Sequence, residues 1–238
     1  MSIAEKLTTI AENEQKVYDA GKKAQYDEFW DSYMKTLING GSAQNLFSGS
    51  GWNKDNFYPK YSMQPLSAAT AMFSYFSWDS DAPYLDLAQR LKDCGVTLDT
   101  SQATVVSQMF ASAYVTHIPK ISVVGAIGLD RVFRGTKAVT IDELELKEDG
   151  TNTFNNIFQN CSALENIVIT GTIGQNGFSV SDCTKLTKDS LLSIISALKD
   201  YSANASGTTH TVTLGATNLA KLTEAEKAIA TQKGWTLA

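Results

Sequence analysis

Residues 158–170 read FQNCSALENIVIT, and this stretch decides the expected fold. It ends in a strand-like run with two apolar side chains on one side, and similar apolar pairs occur twice upstream. The pairs are Ile121 with Val123, Leu144 with Leu146, and Ile167 with Ile169. Their first members recur at a constant interval along the chain, since 144 − 121 = 23 and 167 − 144 = 23. A fixed period of this length indicates units that each add one short strand to a shared core.

A phenylalanine precedes each apolar pair, and a small side chain follows each phenylalanine by three positions. The phenylalanines are Phe110, Phe133 and Phe158, and the small residues are Ala113, Thr136 and Cys161. The first two phenylalanines repeat the interval of the strands, since 133 − 110 = 23, and the third is displaced by two. We expect these side chains to pack the far side of each unit, because a single unit cannot bury its own apolar face.

This pattern resembles the BspA-type leucine-rich repeat, which has the form F-x-x-C-x-x-L-x-x-I-x-I. The match runs from Phe158 through Cys161 and Leu164 to Ile169, and the resemblance covers about residues 93–238. It implies a short solenoid of stacked strands. It also implies a closing helical unit at the C-terminus, because a terminal unit has to cover the last open strand edge.

The C-terminal segment carries the signals of such a closing unit. The apolar residues of 191–198 have helical spacing, and a strand is predicted over 211–214. Thr223 and Glu226 form a capping box that starts a further helix. We expect Trp235, which follows that helix, to plug the cap.

Residues 2–38 predict one long helix with a weak coiled-coil seam. The seam positions that would join copies of the chain are Ile3, Leu7, Ile10 and Val17. Glu14 interrupts the seam, and such a helix is not stable alone in water. It therefore needs either other copies of the chain, with a trimer favoured, or the rest of its own chain.

Residues 40–92 are aromatic and interrupted by turn-forming glycines and by prolines. Their aromatic side chains are either the core of this region or contact residues for sugars and proteins. Trp52 and Tyr58 are the candidate contact residues.

These patterns together predict an α+β protein in three parts. The parts are a long N-terminal helix for oligomerisation or attachment over 1–39, an aromatic mixed region over 40–92, and a short leucine-rich-repeat solenoid with a helical C-terminal cap over 93–238.

Composition and targeting signals argue against several classes of protein. The formal charge is −5, and without a cluster of lysines and arginines we expect no nucleic-acid partner. The cysteines Cys94, Cys161 and Cys183 are odd in number and form no C-x-x-C, which argues against a disulfide framework or a zinc site. There is no secretory signal, and no apolar run is long enough to span a membrane.

The sequence shows no catalytic constellation. His117 and His210 have no Cys, Asp or second His at ligand spacing, so we expect both to be structural or surface residues. No nucleophile elbow, phosphate-binding loop or zinc-protease motif occurs. We therefore predict that the protein is not an enzyme and has no catalytic residues, no cofactor and no metal.

An acidic run over 142–149 provides the candidate binding surface. Glu143 and Glu145 alternate with apolar residues, so their carboxylates share an outward strand face. They are either a solvated face or a stripe that binds a cation or a receptor. A glycosidase pair is a further alternative, but nothing marks either carboxylate as buried.

The opening stretch AEKLTTIAENEQKVYDAG, residues 4–21, resembles short proteins of phages and prophages of gut Gram-positive bacteria. The resemblance implies a virion structural protein of a tail, baseplate or head fibre, made in the bacterial host cytoplasm. Its helix would bind other virion proteins, and its C-terminal part would recognise a glycan or protein on the host surface. One alternative is a bacterial surface adhesin, against which the missing signal sequence argues. The other is a cell-wall glycan hydrolase, which would need a catalytic constellation.

Overall fold

The structure, a computed structural model, describes residues 27–34, 41–49, 51–63, 65–78, 81, 83–203 and 209–238. Within these ranges the chain is mixed α/β, with mostly parallel strands and few helices. None of the helices described there has the length and apolarity that crossing a membrane requires.

The largest sheet contains five short parallel strands. They are β1 (Leu85–Asp86), β2 (Val115–Ile118), β3 (Ile121–Ser122), β5 (Thr140–Glu145) and β7 (Asn166–Thr170). Strand β5 is central: β2 and β3 pair with one of its edges, β7 pairs with the other, and β1 pairs with β2. Two further sheets have two parallel strands each. They are β4 (Gly128–Asp130) with β6 (Thr153–Asn155), and β8 (His210–Val212) with β9 (Trp235–Leu237).

In the part of the chain that the structure describes, four α-helices and one π-helical segment accompany the strands. They are the π-helix Phe29–Met34, α1 (Leu87–Asp93), α2 (Lys188–Ser196), α3 (Ala216–Leu219) and α4 (Glu224–Gln232). Side chains cap three of the α-helices: Asp86 accepts the Gln89 amide of α1, and Thr187 caps α2. The predicted capping box of Thr223 with Glu226 is present at the start of α4. Such caps satisfy amides that have no partner within the helix.

A column of phenylalanines runs through the core beneath the main sheet. The rings of Phe73, Phe110, Phe133 and Phe158 stack in sequence, with centroids 5.1, 5.8 and 5.3 Å apart and nearly parallel planes. All four are fully buried, and the apolar cluster to which they belong extends from Trp30 to Trp235.

The edge of β7 is closed by serine hydroxyls of α2. The Ile167 amide donates to Ser190 Oγ at 3.0 Å, and the Ile169 amide donates to Ser193 Oγ at 2.8 Å. Ser190 and Ser193 are three residues apart on one helix face, so they meet alternate amides of the strand. A helix thus stands where a further strand would otherwise pair, which protects the sheet edge.

The predicted α+β fold with a leucine-rich solenoid and helical cap was wrong. The described strands are divided among three separate sheets within a mixed α/β fold. The spacing of paired residues is also not constant. Ile121 pairs with Leu144, at an interval of 144 − 121 = 23, but Leu144 pairs with Ile169, at an interval of 169 − 144 = 25. A period read from two intervals therefore described local register only, and α2 ends the pairing after β7.

The long N-terminal helix is a second correction. Of the predicted span, the structure describes residues 27–34 alone. They are helical, but Phe29–Met34 is a π-helix and not the regular α-helix that a coiled-coil seam requires. Phe29 and Trp30 both pack against Trp52, although neighbouring positions of a regular α-helix point about 100° apart. Both rings pack in one aromatic cluster, Trp30 buried and Phe29 partly buried, and this packing accompanies the wider turn. The predicted seam residues Ile3, Leu7, Ile10 and Val17 lie outside the described residues.

Candidate functional site: a charged face on the five-stranded sheet

A β-bulge places two consecutive acidic side chains on the outer side of the main sheet. On β7, Ile167 and Ile169 are two positions apart, but their partners Ile141 and Leu144 on β5 are three positions apart. The extra residue lies in the segment 142–143. Its two acidic side chains stay out of the core, whereas Ile141 and Leu144 are buried. Bulges re-aim side chains in this way.

A lysine from the short connection between β2 and β3 spans the bulge. Pro119 and Lys120 separate β2 from β3, because proline cannot donate a hydrogen bond to the sheet. Lys120 Nζ lies 3.0 Å from Glu143 Oε1 and 3.2 Å from Glu145 Oε2. On the other side, the Thr170 hydroxyl of β7 donates to Glu143 Oε1 at 2.6 Å.

These contacts favour the ionised carboxylate. The hydrogen bond from Thr170 lowers the pKa of Glu143, and the contact with Lys120 adds to that effect against the opposing effect of burial. The hydrogen bond to Glu143 correspondingly raises the pKa of Lys120. Both groups therefore carry their charges at neutral pH.

His117 lies between two carboxylates that belong to different strands. Its Nδ1 is 3.3 Å from Asp86 Oδ1 of β1, and its Nε2 is 2.6 Å from Asp142 Oδ1 of β5. An ionised carboxylate only accepts hydrogen bonds, so both contacts are hydrogen bonds only when the imidazole is protonated. Burial lowers the pKa of His117, but the hydrogen bond and charge of Asp142, together with Asp86, outweigh it and raise the pKa above the usual 6.5.

These six side chains form two groups that adjoin at the sequence neighbours Asp142 and Glu143. Together they are here named the charged face: Asp86, His117, Lys120, Asp142, Glu143 and Glu145. Four carboxylates and one ammonium give a formal charge of −4 + 1 = −3 with a neutral imidazole and −2 with a protonated one. The whole chain has a net charge of −5, so the charged face accounts for a large share of it.

The sequence-predicted site residues fall in two different places. Glu143 and Glu145 lie together, half-buried, on the charged face. Trp52 instead packs in the aromatic cluster, with ring centroids 4.9 Å from Phe29 and 5.5 Å from Phe47. Tyr58 is 55% exposed, and the Arg90 guanidinium lies 3.9 Å above its ring centroid.

Sequence reasoning missed the two carboxylates around His117. The histidine had no acidic residue at ligand spacing, because Asp86 and Asp142 are both distant from it along the chain. The strand period held the missing signal: 117 + 23 = 140, and Thr140 is the observed register partner of His117. Asp142 is two positions further along the same strand, and therefore on the same side of the sheet.

The side chains of the charged face are four carboxylates, one imidazole and one ammonium, which can form ion pairs and exchange protons. None of the six is a hydroxyl or a thiol. Cys161 and Cys183 are buried, and the contact with Cys161, together with burial, raises the pKa of the Cys183 thiol far above its usual range. A thiol in such surroundings is not a nucleophile. Within the described residues, no group of three or more His, Cys, Asp or Glu side chains could hold a metal ion.

No family model, curated protein or solved structure matches this chain. The geometry and charge of the charged face are therefore what point to a function.

Proposed function

We propose that the protein is a non-enzymatic binding protein that presents the charged face to a cationic partner surface. One observation carries this proposal. Four carboxylates from β1 and β5 lie on one parallel sheet in two neighbouring groups: His117 joins Asp86 to Asp142, and Lys120 joins Glu143 to Glu145. The result is a preformed negative surface with a defined arrangement of oxygens.

The fold holds these carboxylates in place before a partner arrives. The Gln89 amide donates to Asp86 Oδ1 at 2.8 Å, and the Thr170 hydroxyl donates to Glu143 Oε1 at 2.6 Å. The sheet spaces neighbouring strands about 4.8 Å apart. Groups that are already ordered lose little conformational entropy on binding, so more of the Coulomb attraction is retained as affinity.

Charge complementarity determines which partner this surface fits. Lys120 balances only part of the carboxylate charge, so a net negative potential remains for a partner that carries ammonium or guanidinium groups. Exposed ion pairs contribute about 0.2–1 kcal/mol each and are screened by salt. Binding by a single copy is therefore weak and sensitive to salt, and many copies in one assembly would raise it through avidity.

We propose in addition that this assembly is a phage virion, to which residues 1–39 attach the chain. The support is the resemblance of residues 4–21 to virion- or tail-associated proteins of phages and prophages. The charged face would then contact cationic groups of a protein or glycan on the host surface. Mass spectrometry of purified particles tests this placement. Detection of the protein at the cell surface, in the absence of particles, would favour a bacterial adhesin instead.

The binding role is tested with a fluorescent oligolysine peptide and two matched double variants. Glu143→Gln with Glu145→Gln removes two charges from the charged face. Glu148→Gln with Glu224→Gln removes two charges from exposed positions elsewhere. We expect the first variant to weaken binding about tenfold, as the loss of two ion pairs of about 0.7 kcal/mol each requires. The second variant should change affinity less than about twofold. Equal losses in both variants would contradict the proposal.

A further inference from the structure

The protonation state of His117 determines how the two aspartates beside it are held. In the protonated ring, both nitrogens donate, one to Asp86 and one to Asp142. A neutral ring keeps a single N–H. The Nε2 contact with Asp142 is the shorter one, at 2.6 Å against 3.3 Å, so the proton remains there. The lone pair of Nδ1 then faces an oxygen of Asp86, and that contact becomes repulsive.

Resting on the proposed function, we propose that His117 is a proton-controlled gate of the charged face: loss of its proton releases Asp86 and strengthens the binding of a cationic partner. The raised pKa of His117 agrees with this geometry, because the ring then stays protonated up to a higher pH.

The released carboxylate does not swing away from the sheet. Asp86 is the N-cap residue of α1, and its Oδ1 also accepts a hydrogen bond from the Gln89 amide. Asp86 therefore exchanges an imidazolium partner for solvent or for a cationic ligand while the helix keeps it in position. The charge of the face changes from −2 to −3 in the same step.

The other charged groups near His117 have partners of their own. From α1, which packs against β2, the Arg90 guanidinium donates to the carbonyls of Phe57 and Lys54, and Asp93 accepts the side chain of Gln89. Lys92 of the same helix is exposed.

From β5, the two glutamates of the charged face are held by Lys120. Of the described charged groups, Asp142 and Asp86 are those that act on the pKa of His117. The gate therefore consists of three side chains, on β1, β2 and β5.

The sign of the effect follows from the charge. As pH rises through the pKa of His117, the face gains one negative charge, so its affinity for a polycation increases. One unit charge a few ångström away in water changes a binding constant about fivefold. The reverse sign, with tighter binding at low pH, is incompatible with this mechanism.

The test is the affinity of the full chain for fluorescent oligolysine between about pH 5.5 and 9, where carboxylates and lysines stay charged. We expect the wild-type affinity to rise about fivefold across this range, with its midpoint at the pKa of His117. We expect His117→Gln to lose most of this pH dependence. NMR measures the same pKa. The chain has only two histidines, and the ring of His210 stacks on the Tyr201 ring with centroids 3.7 Å apart, so its signals differ from those of His117.

A second variant tests the link to β1. Asp86→Asn removes the charge but keeps a side chain that caps helices well. It should lower the pKa of His117 and reduce the pH dependence of binding. Equal pH dependence in the wild type and His117→Gln would overturn the gate and leave the binding face intact. Absence of oligolysine binding at every pH would overturn the proposed function and the gate together.

Discussion

Removal of the serine hydroxyls of α2 should destabilise the protein by leaving buried amides of β7 without acceptors. Ser193→Ala takes away the acceptor of the Ile169 amide, and Ser190→Ala takes away that of the Ile167 amide. Ile167 and Ile169 are 2% and 5% exposed, so water cannot easily replace the lost acceptors. Each substitution therefore leaves a buried donor without a partner.

The magnitude follows from two opposing effects. A buried N–H without an acceptor costs about 1–3 kcal/mol. Alanine improves helix propensity over serine by about 0.5 kcal/mol. We expect a single substitution to lower the free energy of unfolding by about 1–2 kcal/mol and the double substitution by about 2–4 kcal/mol.

Urea unfolding followed by circular dichroism measures these differences, with the slope of the transition as a check on a common unfolded state. Ser196→Ala is the matched control. It lies on the same helix with an exposed side chain, so it gains helix propensity without removing an acceptor of β7. If Ser193→Ala costs no more than Ser196→Ala, the hydroxyl does not hold the strand edge and our explanation of it is wrong.

Three further predictions concern the C-terminal half. Lys233 Nζ donates to the carbonyls that end α2, at 2.7, 2.9 and 3.3 Å, so Lys233→Met should cost about 2 kcal/mol in urea unfolding. Lys227→Met on α4, the helix that ends just before Lys233, should cost less than about 0.5 kcal/mol, and similar losses in the two variants would contradict the role of Lys233. Gly171 has φ +74°, and an added Cβ would collide with the Leu146 carbonyl oxygen. Gly171→Ala should therefore cost about 3 kcal/mol or more, and a Tm close to that of the wild type would refute it. Finally, the salt bridge from a lysine of α2 and the capping-box amide lower the pKa of Glu226 from 4.5 to about 2. The wild type should therefore have a higher free energy of unfolding than Glu226→Gln. This difference should be complete above pH 4.5 and disappear as pH falls towards 2, and an undiminished difference at pH 2 would contradict the role of the Glu226 carboxylate.

The register of the first strands could be predicted from the sequence because it depends on local spacing. The interval of 23 correctly related Ile121 to Leu144, and the stacking of Phe110 on Phe133 has the same interval. The next interval is 25 both for Phe133 to Phe158 and for Leu144 to Ile169. The displaced phenylalanine was therefore a true register signal.

The bulge and the overall fold could not be predicted in this way. A bulge adds a residue to one strand only, and the alternation of apolar side chains around Glu143 gives no sign of which strand contains it. The closure of β7 depends on where the hydroxyls of two serines lie, and the presence of polar residues in a predicted helix does not show those positions. A repeat pattern therefore overestimated regularity and led to the wrong fold class.

Only part of the candidate site could be predicted from the sequence, for the same reason. Glu143 and Glu145 were found because they neighbour each other on one strand, and strand alternation places them on one side. Asp86 and His117 belong to different strands, and their contact depends on long-range pairing of a two-residue strand. Trp52 was predicted to be a contact residue because of its side-chain chemistry, but its ring packs against other aromatic rings.

The most direct test of the binding role is carboxyl footprinting. Solvent-accessible carboxylates are coupled to glycine ethyl ester with and without saturating oligolysine, and modification is quantified by mass spectrometry of peptides. We predict that the peptide protects Asp142, Glu143 and Glu145, while Glu148 and Glu224 are modified at the same rate in both samples. Uniform protection of all exposed carboxylates, or protection confined to residues outside the charged face, would contradict the assignment of this surface as the binding site.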